Sequence, residues 1–252
     1  MLLRRALLKF IARPVRKCNR FGDRAPEVSG TVADGGEHRL LPRPSDWPAN
    51  AHMCGQWTLP PPQWSASPEL LEFLAAGDPP LYVGFGSMAG FDRDAVLGDV
   101  IAAVSGRRAL LHAGWSGIDT SRLPANFLAI GDTPHSWLFP RTSLVIHHCG
   151  SGTTHSAARA GVPSVPVPFA GDQFFWADRL TRLGVAPPAV PGKGLKASCL
   201  ARGIAFAETL EARSRAKALG ERMAAEDGPS ASVAKIEAIM ATDVPELTPP
   251  RE

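Results

Sequence analysis

From residue 68 onward, short apolar runs alternate with stretches whose apolar residues recur at helical spacing. Residues 81–85, 109–112, 127–130, 144–147 and 164–167 are largely apolar runs, the pattern of strands buried on both faces. Between them, residues 68–76, 91–105, 152–160 and 173–183 carry helical spacing, and 198–241, rich in Ala, Glu, Arg and Lys, predicts two or three more helices. Strands alternating with helices predict an α/β fold, a parallel sheet covered by helices on both faces. Such sheets bind ligands beyond the carboxyl ends of their strands. The loops after Phe85, His112, Ile130, His147 and Val167 are therefore where function is expected.

Residues 1–67 break this pattern. Gly and Pro cluster at 22–36, and Pro42, Pro44, Pro48, Pro60, Pro61 and Pro62 punctuate the stretch up to residue 62, leaving one short strand expected at 52–57. The organisation expected is an irregular segment and linker over 1–67, one ligand-binding domain over 68–241 and a disordered tail over 242–252.

Composition narrows the function classes. Of 252 residues 44% are hydrophobic, enough for an ordinary core, and the net charge of +3 lacks the concentrated basic patch of a nucleic-acid binder. Cys18, Cys54, Cys149 and Cys199 are scattered without a C-x-x-C pair, which argues against a zinc site or disulfide framework and fits a reducing, cytoplasmic setting. No stretch reaches the ~20 apolar residues of a bilayer span. The opening MLLRRALLKFIARPVRK fits two readings: a plain amphipathic helix ending before Pro14, or a weak peripheral contact with an anionic membrane surface.

Residues 144–183 carry the chemistry. A hydrophobic strand ends at His147-His148, and a glycine-rich turn, Cys149-Gly150-Ser151-Gly152, leads into a helix starting near Thr153. Amides at a helix start lack intrahelical acceptors and sit at the positive end of the dipole, so an anion site is the natural product. Hydroxyls of Ser151, Thr153 and Thr154 add donors, and His148 is placed to donate to a phosphate. The turn is neither a Walker sequence nor G-x-G-x-x-G. Ala160-Gly161-Val162-Pro163 then stops the helix, and Asp172-Gln173 open another. This carboxylate–amide pair suits several sugar hydroxyls, although Asp172 alone also reads as an N-cap. Asp92-Arg93-Asp94 opens a helix and reads as capping, not as a metal motif. His112 and His135 read as structural, Lys193 and Lys196 as solvated, and Trp115-Ser116-Gly117 as a candidate pocket edge.

The order H-x-G-x-G-T, A-G-V-P, P, D-Q resembles the donor-binding signature of family-one glycosyltransferases, with the bacterial and fungal sterol-glucosyltransferase-like branch as the best match. Residues 81–88 (LYVGFGSM), 41–47 (LPRPSDW) and 132–139 (DTPHSWLF) agree with it, and the likeness spans about 39–241. The resemblance implies the C-terminal, Rossmann-like half of a two-domain GT-B fold. It implies that His148, Gly150, Ser151, Gly152 and Thr153 hold the donor diphosphate, that Asp172 and Gln173 hold the sugar, and that Ser87 approaches the diphosphate. Asp132, Thr133, Pro134 and His135 are implied to flank the nucleobase. The sequence departs from plant members at Ser156, where they carry a ribose-binding glutamate, and lacks their base-facing tryptophan near 130–135. Cys149 stands where bacterial relatives often have Gly and reads as a packing residue.

What the resemblance implies about activity is inverting transfer of a sugar, glucose by the branch resembled, from a UDP-sugar to a hydroxyl of a lipophilic acceptor such as a sterol. Neither metal nor other cofactor is required, the UDP-sugar being a co-substrate. The family's general base, usually a histidine held by an aspartate, lies in an acceptor domain. By the resemblance residues 1–67 are a remnant of that domain and the interdomain linker, and residues 1–38 match at most its last helix and loop, without a Gly-rich first strand and base. The expectation is that this chain binds donor and needs an acceptor domain for transfer, which a separate partner chain could supply. A non-catalytic nucleotide-sugar-binding subunit, a hexosamine transferase and an epimerase are the alternatives.

Overall fold

The structure, a computed structural model, describes residues 40–48, 50–58, 63–86, 92–112, 114 and 119–242. The N-terminal amphipathic stretch, Ser87, Trp115-Ser116-Gly117 and the tail beyond 242 lie outside the described residues.

Residues Leu59–Ala225 form one compact unit. Its order is α1 (Pro68–Ala75), β1 (Leu81–Gly84), α2 (Arg93–Val104), β2 (Ala109–His112), β3 (Phe127–Ile130), α3 (His135–Leu138), a 3-10 turn (Phe139–Arg141), β4 (Leu144–His147), α4 (Ser151–Arg159), β5 (Ser164–Pro166), α5 (Gln173–Arg182), α6 (Ala197–Ala207) and α7 (Leu210–Ala224). The five strands pair only in parallel, in the order β3-β2-β1-β4-β5, so the predicted parallel α/β fold is what forms.

Each face of the sheet buries one set of alternating side chains. Leu81, Val83, Leu111, Leu144, Ile146 and Val165 pack with Val96, Val100 and Val104 of α2 and with Leu200 and Ile204 of α6. On the other face Tyr82, Leu110 and Val145 meet Leu70 of α1, Leu138, Phe139, Ala157 of α4 and Val162. Helix starts are fixed by side chains. Ser67 accepts the Leu70 amide (3.2 Å) ahead of Pro68, and Asp92 accepts the Ala95 amide (3.0 Å). Asp92 thus serves the capping role expected of it. Asp99, inside α2, accepts the first amide of α6 at Ala197 (2.8 Å), which ties the two helices of one layer together.

The second unit joins the described residues up to Thr58 with those from Glu226 to Thr242, including α8 (Gly228–Thr242), the third helix of the C-terminal stretch. The strand expected at 52–57 does not form; Gly55 takes φ 88°, out of extended geometry, where the chain seats against Gly228. Carbonyls of Gly55 and Gln56 press on Gly228, where a Cβ would lie 2.5 Å from the Gln56 oxygen. The Trp57 indole donates to Ser232 (2.8 Å), and the buried Ser232 hydroxyl donates to the Gly228 carbonyl (2.7 Å). No described helix is long and apolar enough to cross a membrane.

Candidate donor-binding crevice

The chain leaves β1 in one direction to build β2 and β3 and later crosses to β4 and β5, so the loops after β1 and β4 diverge. The crevice between them is the topological switch point of the sheet. Gly84 and His147 are register partners at its floor.

His147 is fully buried. Its Nδ1 accepts the Cys149 amide N–H (3.1 Å), which leaves the proton on Nε2, an atom with no partner among the described residues. Burial first, then the neighbouring His148 and His135, drive its pKa down to about 3, so the ring is neutral. Cys149 follows at φ 62°, a left-handed conformation that turns the chain sharply into α4. Its thiol is buried and its pKa is pushed by that burial up to about 12, which makes it a packing group.

His148 lies in a slot made by two glycines. A Cβ on Gly86 would approach its Cε1 to 2.8 Å, and one on Gly150 would approach its Nε2 to 2.5 Å. Burial lowers its pKa, with the Gly84 backbone carbonyl and the Asp172 carboxylate pulling the other way. Its Nδ1 is buried without a partner among the described residues. Beside it, Gly150 begins α4 with no side-chain cap, so the first-turn amides of Ser151, Gly152 and Thr153 have no intrahelical acceptor. A methyl group on Gly152 would meet nothing within 4 Å, so packing within the described residues does not account for glycine there. Thr154, by contrast, points inward and is fully buried, and Ser156 donates to the Gly152 carbonyl (2.9 Å).

Asp172 and Gln173 begin α5 but divide their work. Gln173 is buried, and its side-chain oxygen accepts the amides of Phe169 (2.7 Å) and Ala170 (3.2 Å), bracing the loop that follows β5. Asp172 is exposed and makes no side-chain cap; its Oδ2 accepts the Trp176 indole N–H (3.1 Å). Its negative charge raises the His148 pKa against the lowering by burial.

The loop after β3 forms a second wall. Gly131, Asp132, Thr133, Pro134 and His135 line a cleft of about 470 Å³ with Trp64, Tyr82 and His112. Thr133 donates to the Gly131 carbonyl (3.0 Å), Pro134 precedes α3, and His112 Nε2 meets Asp132 Oδ1 (3.2 Å). His135 stacks on Phe139 at 4.3 Å, and burial, followed by the charges of His112 and His148, lowers its pKa to about 4. Trp64, packed at 4.9 Å on Trp137, lines the same cleft. Trp64, Tyr82, His112, Trp176 and Gly86 were not legible as site residues. Trp64 sits in the proline-rich linker and Tyr82 inside an apolar run, while the i, i+4 spacing of Asp172 and Trp176 was a signal in plain view. Lys193 and Lys196 are exposed.

Residues 99–239 match the family described as erythromycin biosynthesis protein CIII-like, C-terminal domain. The chain is 43% identical over 193 residues to an O-mycaminosyltylonolide 6-deoxyallosyltransferase of Streptomyces fradiae, covering 75% of this chain and 45% of that protein. It is 35% identical over 199 residues to a sterol 3-beta-glucosyltransferase of Arabidopsis thaliana, covering 77% of this chain and 32% of that protein. Its fold is similar to the glycosyltransferase SnogD from Streptomyces nogalater, with a TM-score of 0.54, 25% identity, and coverage of 79% of this chain and 53% of that one. The chain thus spans less than half the length of these two curated relatives.

Proposed function

Because this chain belongs to the erythromycin biosynthesis protein CIII-like C-terminal family of GT-B glycosyltransferases, we propose that it forms the donor half of an inverting glycosyltransferase. The reaction is transfer of a hexose, glucose first among candidates, from a UDP-sugar to a hydroxyl of a lipophilic acceptor. The sterol 3-beta-glucosyltransferase among the relatives supports that donor and acceptor class. The acceptor oxygen attacks the anomeric carbon, the bond to the diphosphate oxygen breaks, and its electron pair leaves with UDP. The acceptor proton passes to a base supplied from outside the described residues. No metal enters this scheme.

One observation carries the reading: His148, held in a slot of two glycines beside the uncapped start of α4, with Nδ1 unpartnered among the described residues. The first-turn amides and the imidazole would receive the diphosphate where negative charge grows as the leaving group departs. Asp172 would take sugar hydroxyls, and the cleft between the 131–135 loop and Trp64 would take the uracil.

Calorimetric titration with UDP-glucose tests this. The wild-type chain is expected to bind, and His148→Ala to weaken binding by about tenfold or more, the loss of a hydrogen bond to a charged group. A folded wild-type chain with no affinity for UDP or UDP-glucose would sink the proposal.

A further inference from the structure

We infer that Trp176 is a positioning residue that orients the Asp172 carboxylate toward the donor sugar, an inference resting on the donor-site reading above. Asp172 stands where an N-cap belongs, yet its backbone is already helical (φ −68°, ψ −12°) and its carboxylate caps nothing. An exposed aspartate so placed is free to sample its rotamers, and each hydroxyl it held would then cost the ordering of that side chain. The Trp176 indole removes that freedom by donating to Oδ2 from one helical turn further on. Indole Nε1–H is a donor only, so it selects the carboxylate orientation without competing for ligand donors. Oδ1 meets no hydrogen-bond partner among the described residues and stays available to sugar hydroxyls.

The indole is itself held. The His155 ring meets it edge to face at 4.8 Å and 70°, and Phe175 at 5.1 Å and 77°. His155 is anchored on α4, where Nδ1–H donates to the Ser151 carbonyl (2.8 Å). A continuous path therefore runs from the helix start proposed for the diphosphate, through His155 and Trp176, to the carboxylate proposed for the sugar. The two groups are set at a fixed separation by side chains of α4 and α5, not by the mobile rotamers of an isolated aspartate. A tryptophan serving packing alone would have no use for this hydrogen bond, and phenylalanine would fill much the same volume.

The test compares UDP with UDP-glucose by calorimetry on the full chain, for wild type, Trp176→Phe, Asp172→Ala and the double variant. Trp176→Phe is expected to weaken UDP-glucose about tenfold while UDP, which lacks the sugar, changes by less than about twofold. In the Asp172→Ala background, where the indole has no carboxylate to orient, the same change is expected to have little further effect, as for two residues acting through one group. Equal weakening of UDP and UDP-glucose would make the ring a general support of the crevice and overturn the inference. So would no change in either ligand, or an undiminished effect in the Asp172→Ala background. Wild-type chain that binds neither ligand would instead remove the donor-site reading, and this inference with it.

Discussion

His147 and His148 are neighbours along the chain and are put to opposite uses by the φ 62° bend at Cys149 and the end of β4. His147 is sealed in the sheet with its pKa lowered to about 3, while an unfolded chain restores the ordinary value near 6.5. Its folded pKa is depressed, so between those two values the unfolded state binds a proton that the folded state refuses. The stability it contributes is present above about pH 6.5 and is lost as the pH falls below that point. Denaturant unfolding at pH 7 and pH 5 is expected to show a loss of about 2 kcal/mol from this residue. A His147→Gln variant is expected to have a flatter profile over that range. At this scale the sequence marked His148 through its motif and put His147 at the end of a buried strand, without showing what its ring would meet there. Adjacent residues of a strand point to opposite faces, but which face holds room for an imidazole is settled by packing.

At the scale of elements, the start of α4 concentrates the chemistry. Gly152 is its informative residue: a glycine inside a helix costs up to about 1 kcal/mol against alanine, and within the described residues nothing crowds its missing side chain. Gly152→Ala is expected to stabilise the fold by about 0.5 kcal/mol, read from denaturant midpoints. The same variant is expected to weaken UDP-glucose binding by about tenfold, because its methyl group would occupy the space left for the diphosphate. A variant both less stable and still fully competent would show that the glycine serves the fold. Gly220 of α7 makes the contrast, since a Cβ there would lie 2.6 Å from Gly161 backbone atoms and the glycine is a packing requirement. The sequence set Gly152 apart through its glycine-rich turn and gave no reason for the isolated Gly220. The strand, helix and cap patterns were legible in it because they are local, as at Asp92 and the apolar runs of the sheet. The expected strand at 52–57 failed for a non-local reason, the seating of Gly55 and Gln56 against Gly228.

On the scale of the whole molecule, the crevice is assembled from segments far apart in the chain. Trp64 precedes the first helix of its unit, Tyr82 lies in β1, His112 closes β2 and the 131–135 loop follows β3, yet they enclose one cleft. Trp64→Ala is expected to weaken UDP by about fivefold or more in calorimetry, as loss of one aromatic wall against a base, with inorganic pyrophosphate unaffected. Equal affinity of wild type and variant for UDP would place the base elsewhere. The sequence by itself determined the alternation of strands and helices, the parallel sheet, and the glycine-rich turn with its histidine. These derive from local periodicity, backbone freedom and unpaired helix amides. The tertiary structure alone decided that Gln173 braces a loop while Asp172 stays exposed, and that Trp64 stands by the 131–135 loop. Those relations depend on strand order and on which side chains the packing leaves room for, and neither is written in the spacing of residues along the chain.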